Sequence, residues 1–404
     1  MPWRLLIFML VMPVLWIALH VYMDRRLVRG AALGVWGRRV GRASIVTAAV
    51  MPIVAMSAGR LGLSPIEAQP LSMTGFFLFG LSSVVLVLLV AMDVGRLGLA
   101  GYGRARLACW RPAVAASAFG SPRDPGRRGF FGQVANLGVV GTASGVAGLG
   151  LVQIGRTPGV LEVEVPIANL PVAFEGFRIV QMTDIHVGPT IRGEYLERCV
   201  AACNELDADL VAVTGDLVDG FVDQLRDEVA PLGKLRGKHG TYFVTGNHEY
   251  YWDGLAWCAE VARLGLRVLD NTHVVIEKDG ARLLLAGVTD VSAGQMVAEH
   301  ASDPARACAD APACDVKILL AHQPRSVFAA ASAGYDLQIS GHTHGGQYFP
   351  MNLLVYLAQP YVSGLARHED MWIYVSRGTG YWGPPTRIGA PPEITLLRLV
   401  RAQS

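Results

Sequence analysis

The N-terminal part of the chain is organised around long apolar runs separated by short basic stretches. Residues 3–23 and 71–92 are each close in length to the ~20 residues that a helix needs to cross a bilayer. Residues 133–154 are as long and are rich in small residues, which let helices pack closely. The run 44–58 is shorter and contains a proline, so it is the weakest candidate. The pattern predicts about four transmembrane helices. The alternatives are a cleaved signal peptide for residues 3–23 and a soluble glycine-rich loop for residues 133–154.

The pattern changes after residue 155, so we predict a membrane region over 1–155 and a second domain over 156–404. In the second domain, short apolar runs typical of buried strands alternate with helix-like stretches such as "RGEYLERCVAACNEL". The stretch "LRVLDNTHVVIEKDGARLLLAGV" has the form of a hairpin. This alternation predicts an α/β domain with more than one sheet.

Polar side chains follow five of the predicted strands, at the point where each strand ends. This edge is where open α/β sheets bind ligands. An isolated pair such as the two histidines of "SGHTHGGQ" is a weak signal, but five such groups in order on one chain are not explained by chance. The groups are Asp184 and His186, Gly215 and Asp216, Gly246 to Glu249, His322, and His342 with His344.

The chemistry of these groups indicates a metal site. Oxygen and imidazole ligands without thiolate suit Mn, Fe, Co or Zn. None of the chain's six cysteines lies in these groups, which argues against a structural thiolate zinc site. Two metal ions ~3.5–4 Å apart can clamp the attacking and leaving oxygens of a phosphoryl displacement. Such a pair needs a bridging carboxylate.

The series DxH, GD, GNHE, H and GHTH, with the tail "YVSRGTGYWGPPTRIGAPPEITLLRL", resembles the calcineurin-like metallophosphoesterase superfamily. The resemblance is to its bacterial membrane-attached YkuE/YaeI-like branch and covers about residues 160–400. It implies two mixed β-sheets packed face to face with flanking helices, the αββα sandwich, behind the helical membrane region.

The same resemblance implies a ligand set for two divalent metal ions, whose identity among Mn, Fe, Zn and Co stays open. Asp216 would bridge the two ions and also count as a catalytic residue. The remaining ligands divide into Asp184, His186 and His344 for one ion, and Asn247, His322 and His342 for the other.

The implied reaction is attack of metal-bound hydroxide on phosphorus, because metal binding brings the pKa of bound water towards ~7. In the family pattern His248 is not a ligand and assists the leaving group or stabilises the transition state, a contribution typically worth ~10²–10⁴ in rate. For Glu249 two interpretations stay open: it orients His248, or it is a solvated surface glutamate. The enzyme predicted is a metal-dependent phosphoric ester hydrolase, with phosphodiesters as the expected substrates.

Charge predicts the orientation of the membrane region. Arg60 is the only basic residue between the runs 44–58 and 71–92. The first loop, between 3–23 and 44–58, and the third loop, between 71–92 and 133–154, are strongly basic. By the positive-inside rule those basic loops are cytoplasmic, which predicts a multi-pass cell-membrane protein with its second domain outside the cytoplasm. The basic residues are Arg25, Arg26, Arg29, Arg38, Arg39 and Arg42 in the first loop and Arg96, Arg104, Arg106, Arg111, Arg123, Arg127 and Arg128 in the third.

The last two of these arginines precede two phenylalanines and a weakly apolar run in "GRRGFFGQVANLGVVG". This arrangement resembles a twin-arginine export signal and makes the twin-arginine export machinery a candidate partner. The alternative is an ordinary cytoplasmic anchor. The two parts of the chain differ in charge: residues 1–159 carry a net +12 and residues 160–404 a net −10. An acidic domain is poorly suited to a nucleic-acid partner, which needs a basic stripe.

An outward-facing membrane phosphoesterase meets membrane lipids, so we expect a phosphodiesterase or pyrophosphatase acting on phospholipid or lipid-linked envelope substrates. In "YFPMNLLVYLAQPYVSGLARH" an apolar flap could touch membrane or acyl chains, or the same residues could fill the core; they are Phe349, Met351, Leu353, Leu354, Val355 and Leu357. The alternatives for function are a membrane sensor or transport-associated protein that binds a phosphate ligand, and a periplasmic nucleotide phosphodiesterase.

The cysteines give no fixed disulfide framework. Cys199 and Cys203 are expected to be buried small residues of a helix. Cys308 and Cys314 bracket a loop, where a disulfide is one of two open alternatives in an oxidising compartment.

Overall fold

The computed structural model describes residues 3–31, 33–58, 61–109 and 125–402. The chain divides into two compact units, one formed by residues 1–57 and 74–148 and the other by residues 58–73 and 149–404. Of the basic residues used above for orientation, Arg60, Arg111 and Arg123 lie outside the described residues.

Four long helices come first: α1 (Trp3–Met23), α2 (Val35–Ala58), α3 (Pro65–Cys109) and α4 (Pro125–Ile154), with a short π-helix, Asp24–Arg29, after α1. Within the described residues, three segments are long and apolar enough to cross a membrane: Val35–Ala58, Pro65–Leu99 and Phe130–Ile154.

Three of these helices are longer than the apolar runs that predicted them. Helix α4 begins at Pro125 rather than at residue 133, so Arg127 and Arg128 lie in a helix. Helix α2 begins at Val35 rather than at residue 44, so Arg38, Arg39 and Arg42 lie in a helix and not in a loop. Helix α3 continues beyond residue 92 to Cys109. Hydropathy marks only the part of a helix that a bilayer would cover, and helical backbone hydrogen bonding continues into the flanking polar residues.

In the first unit, an ion-pair network joins α1 and its π-helix to α3. The carboxylate of Asp93 accepts a hydrogen bond from the Tyr22 hydroxyl at 2.8 Å and from Nε and Nη2 of Arg26 at 2.8 and 2.7 Å. Arg96 lies 3.5 Å from the same carboxylate. Pairing of this kind satisfies a carboxylate at the end of an apolar segment, where an unpaired charge would be costly.

The second unit contains two six-stranded mixed sheets. The first has the order β1-β12-β2-β3-β4-β5 and the second β10-β11-β9-β8-β7-β6. The first sheet is formed by β1 (Gly159–Ile167), β2 (Arg178–Met182), β3 (Leu210–Thr214), β4 (Thr241–Val244), β5 (Arg267–Val268) and β12 (Glu393–Arg401). The second is formed by β6 (Thr272–Lys278), β7 (Ala281–Gly287), β8 (Val316–Leu320), β9 (Leu337–Ser340), β10 (Gly364–His368) and β11 (Met371–Val375).

The sheets pack face to face through an apolar core. Ile179, Leu210 and Val244 of the first sheet belong to the same fully buried cluster as Ile318 and Ile339 of the second. Neighbouring central strands are parallel in both sheets, and parallel strands covered on both faces read as nearly continuous apolar runs. That is why the strands could be found from hydropathy.

Helices cover the outer faces of both sheets. Helices α5 (Gly193–Asn204), α6 (Val222–Val229) and α8 (Gly254–Arg263) contribute to the cluster over the first sheet, and α9 (Pro304–Cys308) and α10 (Val327–Ser332) to that over the second. Two short helices, α7 (Asn247–Tyr251) and α11 (Met351–Leu354), lie in loops after strands. The predicted αββα arrangement of two mixed sheets is thereby confirmed.

The cysteines of the second unit are free thiols. Cys199 and Cys203 are fully buried on α5, as predicted. Cys308 and Cys314 are partly exposed and form no disulfide with each other.

Candidate metal centre

All the predicted ligands follow the carboxyl ends of strands from both sheets. Asp184 and His186 come after β2, Asp216 after β3 and Asn247 after β4. From the second sheet, His322 follows β8, and His342 and His344 follow β9. These loops meet at one edge of the sandwich, so residues that are far apart in sequence lie within hydrogen-bonding distance of one another.

Five of these residues have a left-handed backbone. The φ angles of these five lie between 50° and 72°. Non-glycine residues seldom adopt this region, and such conformations concentrate at functional sites, where the surrounding structure enforces them. The residues are Asp184, His186, Asp216, His342 and His344.

Glycines let these loops approach the carboxylates closely. A Cβ on Gly341 would lie 2.1 Å from Oδ2 of Asp184, and one on Gly246 would lie 2.2 Å from Oδ1 of Asp216. No side chain fits at either distance. The glycine before His342 in "SGHTHGGQ" is therefore required by packing against the carboxylate of another strand.

The first cluster of donor atoms consists of Asp184, His186 and His344. Nε2 of His186 lies 3.1 Å from Nε2 of His344, which in turn lies 3.4 Å from Oδ1 of Asp184. The Asp184 carboxylate is held by the Thr183 hydroxyl at 2.8 Å and by the backbone N–H of His342 at 2.9 Å. Three buried donor atoms thus face one point.

The second cluster consists of Asp216, His322 and His342. Nε2 of His322 lies 3.1 Å from Oδ2 of Asp216 and 3.2 Å from Nδ1 of His342. Oδ2 of Asp216 is also 3.9 Å from Nε2 of His186, a member of the first cluster. Asp216 therefore stands between the two clusters, the position expected of a shared carboxylate.

Asn247 follows Gly246, whose backbone packs on the Asp216 carboxylate, and it carries an amide oxygen in the same loop. Its Nδ2 donates to the Tyr251 hydroxyl at 3.3 Å, which fixes the orientation of the amide. Its Oδ1 is buried and has no hydrogen-bond partner. A buried acceptor without a donor is costly, so this oxygen is available to a cation.

The donor set fits divalent metal ions. His322 faces the Thr214 carbonyl through Nδ1 at 2.8 Å, which leaves Nε2 as the atom facing Asp216. Burial lowers the pKa of His342 to about 3, and burial also holds the pKa of His344 well below its usual value. The imidazoles of His342 and His344 are therefore neutral and offer lone pairs. Burial alone would lower the pKa of His322, but the Asp216 carboxylate outweighs it and holds that pKa well above its usual value, so a cation there would displace a proton from His322. Imidazole, carboxylate and amide ligands together form a typical site for a borderline divalent cation.

His248 lies beside the clusters and is held by a residue that we did not predict, Asp219. Nδ1 of His248 lies 2.5 Å from Oδ1 of Asp219, whose other oxygen is 3.3 Å from Nδ1 of His186. Burial alone would lower the pKa of His248, but the carboxylates of Asp216 and Asp219 outweigh it and raise that pKa to about 9. The signal for Asp219 was present in "GDLVDG", as a second carboxylate three residues after Asp216.

Both interpretations of Glu249 were wrong. Glu249 is fully buried, and its carboxylate accepts backbone N–H groups from Gly246 at 2.6 Å, Leu217 at 2.7 Å and Asp216 at 3.1 Å. It therefore joins the loops after β3 and β4 and leaves His248 to Asp219.

A second residue that we did not predict, Arg387, supports the last motif. Its guanidinium is fully buried and donates to the carbonyls of His344 at 2.8 Å, Gly378 at 2.8 Å and Arg377. Gly378 also packs on Asp184, since a Cβ there would lie 3.0 Å from the Asp184 Cβ. The arginine of "GPPTRIGAPPE" thus fixes the backbone that carries His344.

Two aromatic rings border His248. The ring centroids of Tyr251 and Trp382 lie 5.1 and 5.5 Å from that of His248. Both aromatic residues are about half exposed, at 49% and 50%. They form a partly open apolar rim next to the polar centre.

Known proteins with this arrangement identify the family. A family model for calcineurin-like phosphoesterases matches residues 177–346, which include all seven predicted ligands and His248. The chain is 31% identical over 243 residues to YkuE of Bacillus subtilis, described as an uncharacterized metallophosphoesterase; the match covers 57% of this chain and 81% of that protein. The chain belongs to the calcineurin-like metallophosphoesterase family.

A higher identity is found in a protein that carries its own membrane segments. The chain is 40% identical over 265 residues to the "transmembrane protein with metallophosphoesterase domain" of Bos taurus, covering 63% of this chain and 60% of that protein. The chain thus spans less than two thirds of this relative's length. Among solved structures, sulfate thiohydrolase SoxB of Thermus thermophilus is 14% identical with a TM-score of 0.36, covering 57% of each chain. The transmembrane relative and the three long apolar helices together indicate membrane association.

Proposed function

We propose that this protein is a membrane-anchored, metal-dependent phosphoesterase that hydrolyses phosphodiester or pyrophosphate bonds of phospholipid or lipid-linked substrates. The observation that carries the proposal is the overlap of three groups of donor atoms. Asp216 belongs to one group with His322 and His342 and to another with His186 and His248. His186 also belongs to the group with Asp184 and His344, which links that group to Asp216. Two divalent ions held there would polarise a water molecule and the phosphoryl oxygens.

The residues divide into two groups by position. Asp184, His186 and His344 would hold one ion, and Asn247, His322 and His342 the other. Asp216 belongs to both groups because its Oδ2 faces His322 at 3.1 Å and His186 at 3.9 Å. The neutral amide of Asn247 limits negative charge around an anionic phosphate.

His248 is placed to transfer a proton to the leaving oxygen. Asp219 accepts a hydrogen bond from Nδ1, which directs the other ring nitrogen, Nε2, towards Asp216 at 3.9 Å. A proton on Nε2 is therefore presented at the centre, where it can neutralise the departing alkoxide. Positioned acids of this kind contribute ~10²–10⁴ in rate.

An apolar surface beside the site supports a lipid as the substrate. Exposed apolar side chains follow one another in the segment 349–357. Of the six residues predicted there, Val355 is half-buried and the other five are exposed, so the interpretation that the set fills the core was wrong for those five. Their exposed fractions range from 43% to 85%. Exposed apolar clusters mark binding surfaces. The members are Phe349, Met351, Leu353, Leu354, Tyr356 and Leu357.

The aromatic rim favours a second candidate. Tyr251 and Trp382 could stack on a nucleobase as well as contact an acyl chain, so a nucleotide phosphodiesterase is the alternative. Comparing a phosphatidylglycerol with a cyclic or dinucleotide diester at equal metal concentration separates the two. A kcat/KM at least tenfold higher for the nucleotide would replace the lipid proposal.

The main test is hydrolysis of bis(4-nitrophenyl) phosphate by the full chain with Mn²⁺, beside 4-nitrophenyl phosphate as the monoester. We expect metal-dependent diester cleavage that is lost on removal of metal with EDTA and falls by at least ~10² in Asp216→Asn and His248→Ala. No activity in the wild type, measured with metal bound, would contradict the proposal and favour a phosphate-binding sensor.

We further propose that the protein crosses the membrane several times with the phosphoesterase domain outside the cytoplasm. The support is the contrast between two arginine-rich segments and one with Arg60 alone. Arg127 and Arg128 would direct export by the twin-arginine machinery. Replacing both with lysine should abolish export of the domain, and unchanged export would refute this part of the proposal.

A further inference from the structure

A cavity of about 300 Å³ lies in the second unit. Its lining comes from the end of α4, the loop after β2, the start of α5, Met73 and Tyr381. None of the seven predicted metal ligands is among the described residues that line it. Its volume is at the lower end of the ~300–1,000 Å³ typical of small-molecule sites.

One wall of the cavity is apolar and belongs to a segment of membrane-spanning character. Leu151 and Ile154 are the last residues of the candidate span Phe130–Ile154, and Met73 lies in the span Pro65–Leu99. A wall built from the end of such a span lies near the surface of the bilayer, where acyl chains give way to head groups. Aliphatic side chains at this level suit the upper part of an acyl chain.

Two arginines also line the cavity. Arg192 pairs through Nη2 with Glu228 at 2.5 Å, but its Nη1 is buried and has no hydrogen-bond partner. Arg198 lies over the ring of Tyr195, 5.5 Å from its centroid, and is exposed to solvent. Glu194 also lines the cavity, so with Glu228 two carboxylates accompany the two arginines, and the unsatisfied group is the Nη1 of Arg192. A buried guanidinium N–H without an acceptor is costly, and a phosphate oxygen is an acceptor that arginine binds strongly.

We propose that this cavity binds an anionic phospholipid of the bilayer. The phosphate lies at Arg192 and Arg198, and an acyl chain follows Met73, Leu151 and Ile154. An anionic phospholipid combines in one molecule the charged group and the aliphatic chain that suit these two kinds of lining residue. A neutral lipid would leave the arginines without a partner, and a free phosphate would leave the apolar wall uncovered.

The cavity also adjoins the candidate active site. The Tyr381 hydroxyl donates to the Thr190 carbonyl at 3.1 Å within the cavity wall, and the next residue, Trp382, faces His248. The end of α4 contacts the same segment, because a Cβ on Gly150 would meet Thr386. A bound lipid would therefore contact the segment that carries the aromatic rim, without touching the donor clusters.

The test is binding of dioctanoyl phosphatidylglycerol to the full chain in a neutral detergent, measured by calorimetry in an Asp216→Asn background that prevents turnover. Dioctanoylglycerol, which has the acyl chains but no phosphate, and inorganic phosphate are the comparison ligands. We expect phosphatidylglycerol to bind at least about tenfold more tightly than either, because only it satisfies both walls.

Two variants and their controls assign the site. Arg198→Gln removes an exposed cation, and Met73→Trp fills the cavity; each should weaken phosphatidylglycerol binding at least about tenfold. Arg236→Gln and Met296→Trp make the same changes at exposed positions outside the cavity and should change it less than twofold.

Three results would overturn the proposal. Equal affinity for the two lipids would remove the role of the arginines, and equal affinity for inorganic phosphate would indicate a simple anion site. Unchanged binding in Arg198→Gln would place the lipid elsewhere, even if Met73→Trp did not fold. Because binding is measured without turnover, failure here is distinguishable from absence of phosphoesterase activity.

Discussion

The environment of His248 depends on one carboxylate. Asp219 is 24% exposed and faces His248 at 2.5 Å and His186 at 3.3 Å through its two oxygens. The charged carboxylate of Asp219 fixes the orientation of the His248 ring and favours its protonated form. The neutral amide of an asparagine would do both only weakly. Asp219 is therefore a positioning residue for the proposed proton donor, and its loss should act on kcat.

We predict that Asp219→Asn lowers kcat for an aryl phosphodiester by about 10- to 100-fold, part of the ~10²–10⁴ that a positioned acid contributes. KM and metal content, measured by elemental analysis, should change little. Asp223→Asn, at an exposed position on α6, is the matched control. If the loss of activity follows a loss of metal instead, the role assigned to Asp219 is wrong.

The ligand residues were predictable from sequence, and their supporting residues were not. Asp184, Asp216 and His342 each interrupt or follow a hydrophobic run, so local pattern reveals them. Arg387 bonds to the His344 carbonyl, 43 positions away in sequence, and such a pairing depends on packing between distant loops. Glu249 was misread because a glutamate beside a glycine-rich loop gives no sign of its burial.

At the scale of elements, α11 and the following 3-10 turn form an exposed apolar surface in the phosphoesterase domain. Leu353 and Leu357 are 61% and 85% exposed. Burying a leucine side chain in an apolar phase is worth about 1.5–3 kcal/mol, so two such residues can change binding to a bilayer substantially. The same residues make no contribution to a small soluble substrate.

We predict that the double variant Leu353→Ser and Leu357→Ser lowers hydrolysis of a phosphodiester lipid in vesicles by about tenfold or more. Hydrolysis of soluble bis(4-nitrophenyl) phosphate should stay within twofold of wild type. Leu255→Ser changes a leucine of similar exposure, 53%, on α8 and should leave both rates unchanged. Equal loss on both substrates would mean that the segment supports the site rather than the lipid.

Helix α4 offers a second comparison within one element. A Cβ on Gly150 would lie 2.0 Å from Oγ1 and 2.6 Å from Cβ of Thr386, whereas one on Gly141 would meet nothing within 4 Å. Overpacking costs typically ~1–3 kcal/mol, while alanine is favoured over glycine in a helix by about 1 kcal/mol. The two glycines should therefore respond in opposite directions to the same substitution.

We expect Gly150→Ala to lower the thermal midpoint of the purified protein in detergent by several degrees and Gly141→Ala to leave it unchanged or raise it. Tryptophan fluorescence during heating provides the measurement. Similar thermal midpoints for the two variants would show that Thr386 can move away from the added methyl group, so that this contact contributes little to stability.

Pattern located the elements better than it located their ends. Parallel strands covered on both faces appear as apolar runs, and β2, β3 and β8 were found in this way. The hydropathy pattern predicted a start of α2 that is too late and an end of α3 that is too early. Hydropathy falls at the basic residues, while the helix continues through them. Two-residue β5 pairs with β4 alone, and no pattern of two residues could have predicted it.

At the scale of the whole molecule, charge separates the chain into a basic N-terminal part of net +12 and an acidic phosphoesterase part of net −10. This asymmetry could be read from sequence, and it supports the proposed orientation because basic loops stay in the cytoplasm. Acidic residues have little influence on membrane topology, so the proposed orientation rests on the positions of the arginines.

We predict that a thiol reagent that cannot cross membranes reaches Cys314 but not Cys109 in spheroplasts. The experiment uses variants that retain one cysteine each, the others being replaced by alanine. Cys314 is partly exposed in the phosphoesterase domain. Cys109 is the last residue of α3 and belongs to the segment between residues 92 and 133 that is predicted to be cytoplasmic. Cys199 is the control for burial, because burial raises the pKa of its thiol to about 12 and the side chain is inaccessible until the protein unfolds.

Labelling of Cys109 in intact spheroplasts, with Cys314 protected until lysis, would place the phosphoesterase domain in the cytoplasm and limit its substrates to those of the inner leaflet.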